Sequence, residues 1–182
     1  MVAHALRSDI GAVGAKLLYP DGTIQHGGML LDGVAASYLH RGWPRAANGY
    51  GNRARLQQNV SAVTGACLVV RKEVWDDVGG MDERFAAAFN DVDFCLRIQQ
   101  RGYRNLWLPQ AELYHFEFAS RGCEVSPEKF ERFRTEIALL QERWGTLLKN
   151  DPNWNPNLAL NGERIGLAAP PRVRKPWLPF DA

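Results

Sequence analysis

The sequence is poor in the features that would anchor it in lipid or staple it covalently. It has three cysteines, Cys67, Cys95 and Cys123, in 182 residues. None forms a CxxC pair or a short metal-ligand spacing, so neither a zinc-binding ribbon nor a disulfide scaffold is indicated. Free thiols in a reducing compartment are expected. No run of about 18 apolar residues occurs, so no membrane-spanning helix is expected. The opening MVAHALRSDI lacks an apolar signal core and a small-residue cleavage site. Charge of one sign is also lacking, with 22 basic residues against 20 acidic. That balance argues against a nucleic-acid partner. No GxGxxG leads from a strand into a helix, which speaks against a dinucleotide-binding fold. These absences point to a cytoplasmic protein, in which the sequon Asn59-Val60-Ser61 has no role.

Hydrophobic residues make up 46% of the chain and charged residues 23%, enough for one packed domain. Residues 1–9 read as the end of a helix. Ile10 to Leu18 reads as a buried strand. Tyr19-Pro20-Asp21-Gly22 reads as a turn, and Thr23 to Leu31 as the returning strand of a hairpin. Residues 33–58 hold no period, yet Tyr38, Trp43 and Tyr50 argue against a plain linker. Val60 to Val70 reads as a strand. A short helix from Arg71 to Val78 is stopped by Gly79-Gly80. A helix starts at Asn90 or Asp91 and runs to Gln100. Tyr103 to Leu108 and Ala111 to Phe116 read as two strands separated by Pro109. Ser126-Pro127-Glu128 is a helix start. Phe130, Phe133, Ile137, Leu140, Trp144 and Leu147 then mark one apolar stripe. Beyond Lys149 the Pro- and Asn-rich tail is expected to lie over the surface as extended chain.

Several constellations carry more than one meaning. Asn90-Asp91-Val92-Asp93 is first a helix start, because acids favour the positive end of the dipole. The same helix end can also hold Asp91 as a general base. His115, closing an alternating run, is a strand histidine or a ligand to a divalent ion. Gly79-Gly80-Met81-Asp82-Glu83 is a helix stop and turn, or a place where backbone approaches a ligand. Gln25-His26-Gly27-Gly28 has the same ambiguity, with a bulge or strand end as the default. His40, Arg41, Trp43 and Arg45 form an aromatic and basic loop able to take sugar or phosphate.

In order along the chain, Thr64-Gly65-Ala66, Gly79-Gly80-Met81-Asp82-Glu83, Asp91 and Asp93, Gly102-Tyr103-Arg104 and His115 resemble the acceptor-side half of family 2 glycosyltransferases with the GT-A fold. GAVGAKLLYPDGTIQHGG and DPNWNPNL resemble the branch that builds bacterial surface polysaccharides, rhamnosyl and O-antigen transferases included. The resemblance implies an α/β fold: the C-terminal half of a GT-A mixed sheet with flanking helices. It implies an acceptor-side part over 1–125, a long amphipathic C-terminal helix over 126–148 and an extended tail over 149–182. It implies inverting transfer of a sugar from a nucleotide-sugar donor to a hydroxyl of a glycan or lipid-linked acceptor, in the cytoplasm or at the inner face of the membrane.

Asp91 falls at the family's base. Asn90 stands where a Glu is usual, and with Asp93, Gly79, Gly80, Asp82 and Glu83 it makes up the supporting positions. Thr64, Gly65, His40, Arg41 and Trp43 are the candidates for acceptor contact. His115 falls at a ligand of a divalent metal, Mn or Mg, in the complete enzyme. The DxD and the nucleotide-binding strands of the family's first half have no counterpart here. The expectation is therefore a fragment, inactive alone, whose partner is an upstream-encoded half. An open sheet edge would make the isolated chain prone to associate. The competing expectation is a non-catalytic module that kept acceptor or partner binding.

Overall fold

A computed structural model describes residues 1–116, 126–161 and 165–173; Cys123 lies outside them. The central strand is β1 (Ile10–Leu18), every residue of which is buried. Its partner β7 (Arg104–Tyr114) runs parallel to it from Ile10↔Arg104 to Leu18↔Tyr114. On its other side β1 pairs antiparallel with β6 (Leu68–Val70) and, further along, with β2 (Ile24–His26). Strand β5 (Gln58–Val60) closes the far edge against β7. A two-stranded ribbon, β3 (Met29–Leu31) with β4 (Ala36–Tyr38), stands beside this sheet. The fold is therefore mixed α/β, as a GT-A-like architecture requires.

Among the described residues four α-helices flank the strands: α1 (Val2–Ala5), α2 (Lys72–Val78), α3 (Asn90–Gln100) and α4 (Pro127–Lys149). Glycines let α3 and the 61–67 segment lie close on β1. A Cβ on Gly11 would sit 2.2 Å from Ile98 Cγ2, and one on Gly14 would sit 2.4 Å from Val63 Cβ. The main core gathers Phe85, Phe94, Leu96 and Ile98 with Trp107 and with Leu140, Trp144 and Leu148 of α4. That packing comes from the C-terminal half of α4, where Leu140 and Trp144 of the stripe are joined by Leu148 and Leu147 is only partly buried. Phe130 and Phe133, in its first half, remain exposed.

Three strand boundaries differ from the sequence reading. Thr23 to Leu31 is two strands, broken where Gly28 takes a positive φ, so that β2 serves the main sheet and β3 the ribbon. Val60 to Val70 is likewise split, because Ser61 to Cys67 leaves the ladder and turns through Thr64-Gly65-Ala66. Conversely, β7 is one strand. Pro109, which cannot donate to a ladder, falls in a register shift between Leu108 and Glu112, where such a residue is tolerated. The irregular 33–58 segment contains β4, and the tail does more than cover the surface. Trp154 and Leu158 are buried with Leu30 and Leu39. Asp151 accepts from the Ser61 hydroxyl at 2.6 Å and from the Leu31 N–H at 2.8 Å.

Candidate active site

Asp91 lies in the first turn of α3 and is half-buried. Its Oδ1 accepts from the Val92 N–H and its Oδ2 from the Gly65 N–H, both at 2.8 Å. Burial pushes its carboxyl above the ordinary value, and these amides together with the Thr64 side chain counter that rise. The carboxylate is thus gripped by neutral donors that leave it basic. A backbone N–H on each oxygen fixes its direction.

The loop before α3 is shaped to make this start. Phe89, the residue preceding the helix, has φ 61°, a left-handed conformation that a bulky side chain adopts only when its surroundings impose it. Here α4 imposes it. Buried Glu136 accepts from the Ala87 and Ala88 N–H groups at 3.2 and 2.6 Å, and Phe133 packs on the Phe89 ring at 5.3 Å.

Two residues on, Asp93 is fully buried and turned to a different task. It accepts from Arg97 Nε at 2.8 Å, one Arg143 N–H at 2.6 Å and the Trp144 indole N–H at 2.9 Å. Arg143 also reaches Asp82 at 2.8 Å. Asp82 in addition pairs with Arg84, and this pairing holds its carboxyl well below the usual range. Asp82 and Asp93 therefore bolt α4 to the body of the domain. Gly79 and Gly80 take φ values of 77° and 69° and end α2. Glu83 is exposed, and Asn90 spends its side-chain oxygen on the Asp91 N–H at 2.7 Å.

His115 follows the end of β7. Its Nδ1 is 2.8 Å from Gln25 Oε1, and Gln25 Nε2 donates to the His115 carbonyl at 3.5 Å. An amide oxygen only accepts, so Nδ1 carries a proton, and in the neutral ring Nε2 presents a lone pair, the arrangement of a metal-ligating histidine with its outer partner in place. The fit extends to one ligand. Among the described residues no group of three or more His, Cys, Asp or Glu side chains could hold an ion.

The aromatic and basic loop packs on the tips of β1 and β2. Trp43 lies against Leu18, Ile24 and Ala54, and Arg41 donates to the Tyr19 hydroxyl at 2.8 Å. His40 is fully buried with an edge contact to Trp43 at 5.4 Å, so it has no face open to a sugar. Thr64 is buried and Gly65 exposed at the Asp91 cradle. Two residues that shape the site, Glu136 and Arg143, are not singled out from the sequence alone, and Gln25 and His26 are read there only as part of a motif with a bulge or strand end as the default. The available signal was polarity in the wrong place. Gln25-His26 interrupts an apolar hairpin, and Glu136 and Arg143 each adjoin an apolar stripe residue.

The sequence profile of glycosyl transferase family group 2 matches residues 45–147, a span holding the Gly65–Asp91 cradle, both clamp acids and His115. The chain belongs to this family. It is 49% identical over 172 residues to the uncharacterised protein y4gI of Sinorhizobium fredii, covering 93% of this chain and 19% of that protein. It is 36% identical over 176 residues to the O-antigen biosynthesis protein RfbC of Myxococcus xanthus, covering 94% of this chain and 13% of that one. Over 142 residues it is 27% identical to the N-acetylglucosaminyl-diphospho-decaprenol L-rhamnosyltransferase of Mycobacterium tuberculosis, covering 73% and 46%. The chain thus spans less than half the length of each of these relatives. No helix among its described residues is long and apolar enough to cross a membrane.

Proposed function

We propose that this family 2 domain supplies the acceptor side of an inverting sugar transfer to a hydroxyl of a bacterial surface glycan or its lipid-linked precursor. The observation that carries the reading is the Asp91 carboxylate, lifted by burial and held by the Gly65 and Val92 amides, with no cationic side chain of the described residues in its cradle. As the acceptor oxygen bonds to the anomeric carbon of a nucleotide-sugar, its proton passes to Asp91, and the bond from that carbon to the diphosphate breaks. A base with a raised pKa is better matched to neutral pH than an ordinary aspartate. The names of the relatives, one an O-antigen biosynthesis protein and one a rhamnosyltransferase, support the acceptor class.

His115 would hold a divalent cation, Mn or Mg, through Nε2, with Gln25 fixing the tautomer. Such an ion supplies charge stabilisation at the leaving diphosphate when bound. Because the described residues contribute one ligand rather than a set, we propose that donor binding needs residues from a further donor-side half and that the 182-residue chain does not complete transfer by itself. That same observation favours the second reading, a non-catalytic acceptor-binding module.

The test is Asp91→Asn in an assembly that transfers sugar, such as this chain joined to the donor half of a family 2 relative. Transfer is expected to fall by roughly 10²–10⁴-fold with the fold intact. Unchanged turnover would rule Asp91 out as the base. Robust metal-dependent transfer by the chain alone would overturn the need for a donor half, and an assembly that binds acceptor without turnover would favour the module.

A further inference from the structure

Resting on the reading of Asp91 as the base, we propose that His26 is a positioning residue of the site, a buried imidazole that fixes the Thr64–Gly65 turn whose amide holds the Asp91 carboxylate. His26 is fully buried at the end of β2. Its Nδ1 lies 3.0 Å from the Ala15 carbonyl of β1, and its Nε2 lies 3.3 Å from the Thr64 backbone nitrogen. A carbonyl can only accept and a backbone N–H can only donate. The ring therefore carries its proton on Nδ1 and offers a bare Nε2 to Thr64, and no other protonation state satisfies both partners. Burial keeps it in that state, pushing the imidazole down to about 4.

The Ser61–Cys67 segment needs such an anchor. It has left the ladder between β5 and β6, so few regular strand bonds hold its backbone. Buried side chains hold it from below, beginning with Asn105 Nδ2, which donates to the Ser61 carbonyl at 3.0 Å. Cys95 Sγ lies 3.5 Å from the Val63 nitrogen, and His26 takes the next N–H along. The Tyr38 ring meets His26 edge-on at 5.2 Å, and its hydroxyl reaches Thr64 Oγ1 at 3.4 Å. One residue after the His26 contact, Gly65 turns its N–H onto Asp91. A continuous relay thus runs from the β1 backbone through His26 to the base. The Cys95 thiol, one turn along α3, is pushed up to about 12 and stays neutral, while the Asp93 carboxylate is engaged by Arg97 and Arg143.

The experiment is a carbon-13 NMR pH titration of the Asp91 carboxyl in the 182-residue chain, alongside thermal melts. His26→Phe removes the acceptor for Thr64, and the Asp91 pKa is expected to rise further by about one pH unit as the Gly65 amide loses its aim. His26→Gln, whose oxygen can reach the Thr64 N–H, is expected to restore it. Should His26→Phe fail to fold, His26→Asn serves in its place, keeping a donor for Ala15 while falling short of Thr64. Lower melting temperatures with an unmoved Asp91 titration would overturn the proposal, since a merely structural histidine gives that result. The titration needs no turnover, so its failure is separable from survival of transfer in Asp91→Asn, which would sink the base reading alone.

Discussion

Asp91 and Asp93 stand two residues apart at the start of α3 and are held in opposite ways. Asp93 is sealed in the core and neutralised by Arg97 and Arg143, with the Trp144 indole completing its shell. Asp91 is half-exposed and receives backbone amides. Full charge compensation makes a carboxylate a poor proton acceptor and a strong structural tie. Partial burial with neutral donors does the reverse. Helical geometry produces the contrast: residues two apart on a helix point to different faces. One acid faces α4, and the other faces the Thr64–Ala66 turn.

The largest effect that would break this comparison on the stability side is Asp93→Asn. It leaves Arg97 and Arg143 without their shared carboxylate. Removing one partner of a buried pair costs about 3–5 kcal/mol, and the lower end is expected because both arginines keep some contact with water. Urea denaturation measures it. A loss below about 1 kcal/mol would show that Asp93 is not the bolt between α3 and α4.

How much of this contrast the sequence revealed depends on the range of the interactions. The Gly79 stop and the Ser126-Pro127 start rest on local chemistry, whereas the α3 start, though marked locally by Asn90-Asp91, also leans on Glu136 and Phe133 of α4. The structure repeats them, down to the Ser126 hydroxyl accepting from the Lys129 N–H. The Val60–Val70 reading failed because the break at Thr64-Gly65 is held by His26, 38 residues from Thr64, and by Asp91, 26 residues from Gly65. No local propensity records that. Asp91 and His115 stood out by resemblance, whereas the division of labour between Asp91 and Asp93 did not. It requires Arg143 and Trp144, which come from a helix some 50 residues later.

A middle-sized effect comes from pH, through the two histidines enclosed near the β1–β2 end. Burial pushes both His26 and His40 from 6.5 to about 4, and Arg53 and Lys16 add to the effect at His40. Their folded values lie below the unfolded one, so between pH 6.5 and about 4 the unfolded chain binds more protons. Stability therefore falls as pH drops through that window. At pH 5 each histidine is expected to cost about 2 kcal/mol. His40 has no hydrogen-bond partner on either ring nitrogen among the described residues, so His40→Phe should flatten its share of the slope. Denaturation at pH 7 and pH 5, with and without that substitution, measures the difference. An unchanged slope would mean that His40 is protonated or hydrated in solution.

The smallest effect is the most discriminating one. Asp91→Asn makes the same chemical change as Asp93→Asn, two residues earlier, and is expected to alter stability at pH 7 by less than about 1 kcal/mol. Losing the buried charge is favourable, because burial disfavours the ionised form. Losing one oxygen is unfavourable, since the new amide group can accept from Gly65 or from Val92 but not from both. The two terms nearly cancel. The pH dependence separates them further. The folded pKa of Asp91 is raised, so in the window above 3.8 the native state binds the extra proton, and Asp91 lowers stability as pH rises. This slope opposes that of the histidines, and asparagine should abolish it. A loss at pH 7 as large as that of Asp93→Asn would make Asp91 a second structural bolt, and the difference between the two acids would collapse. A near-neutral change with the Asp91 slope removed fits a carboxylate placed where its charge is mildly unfavourable to the fold, as expected for a group retained for proton transfer.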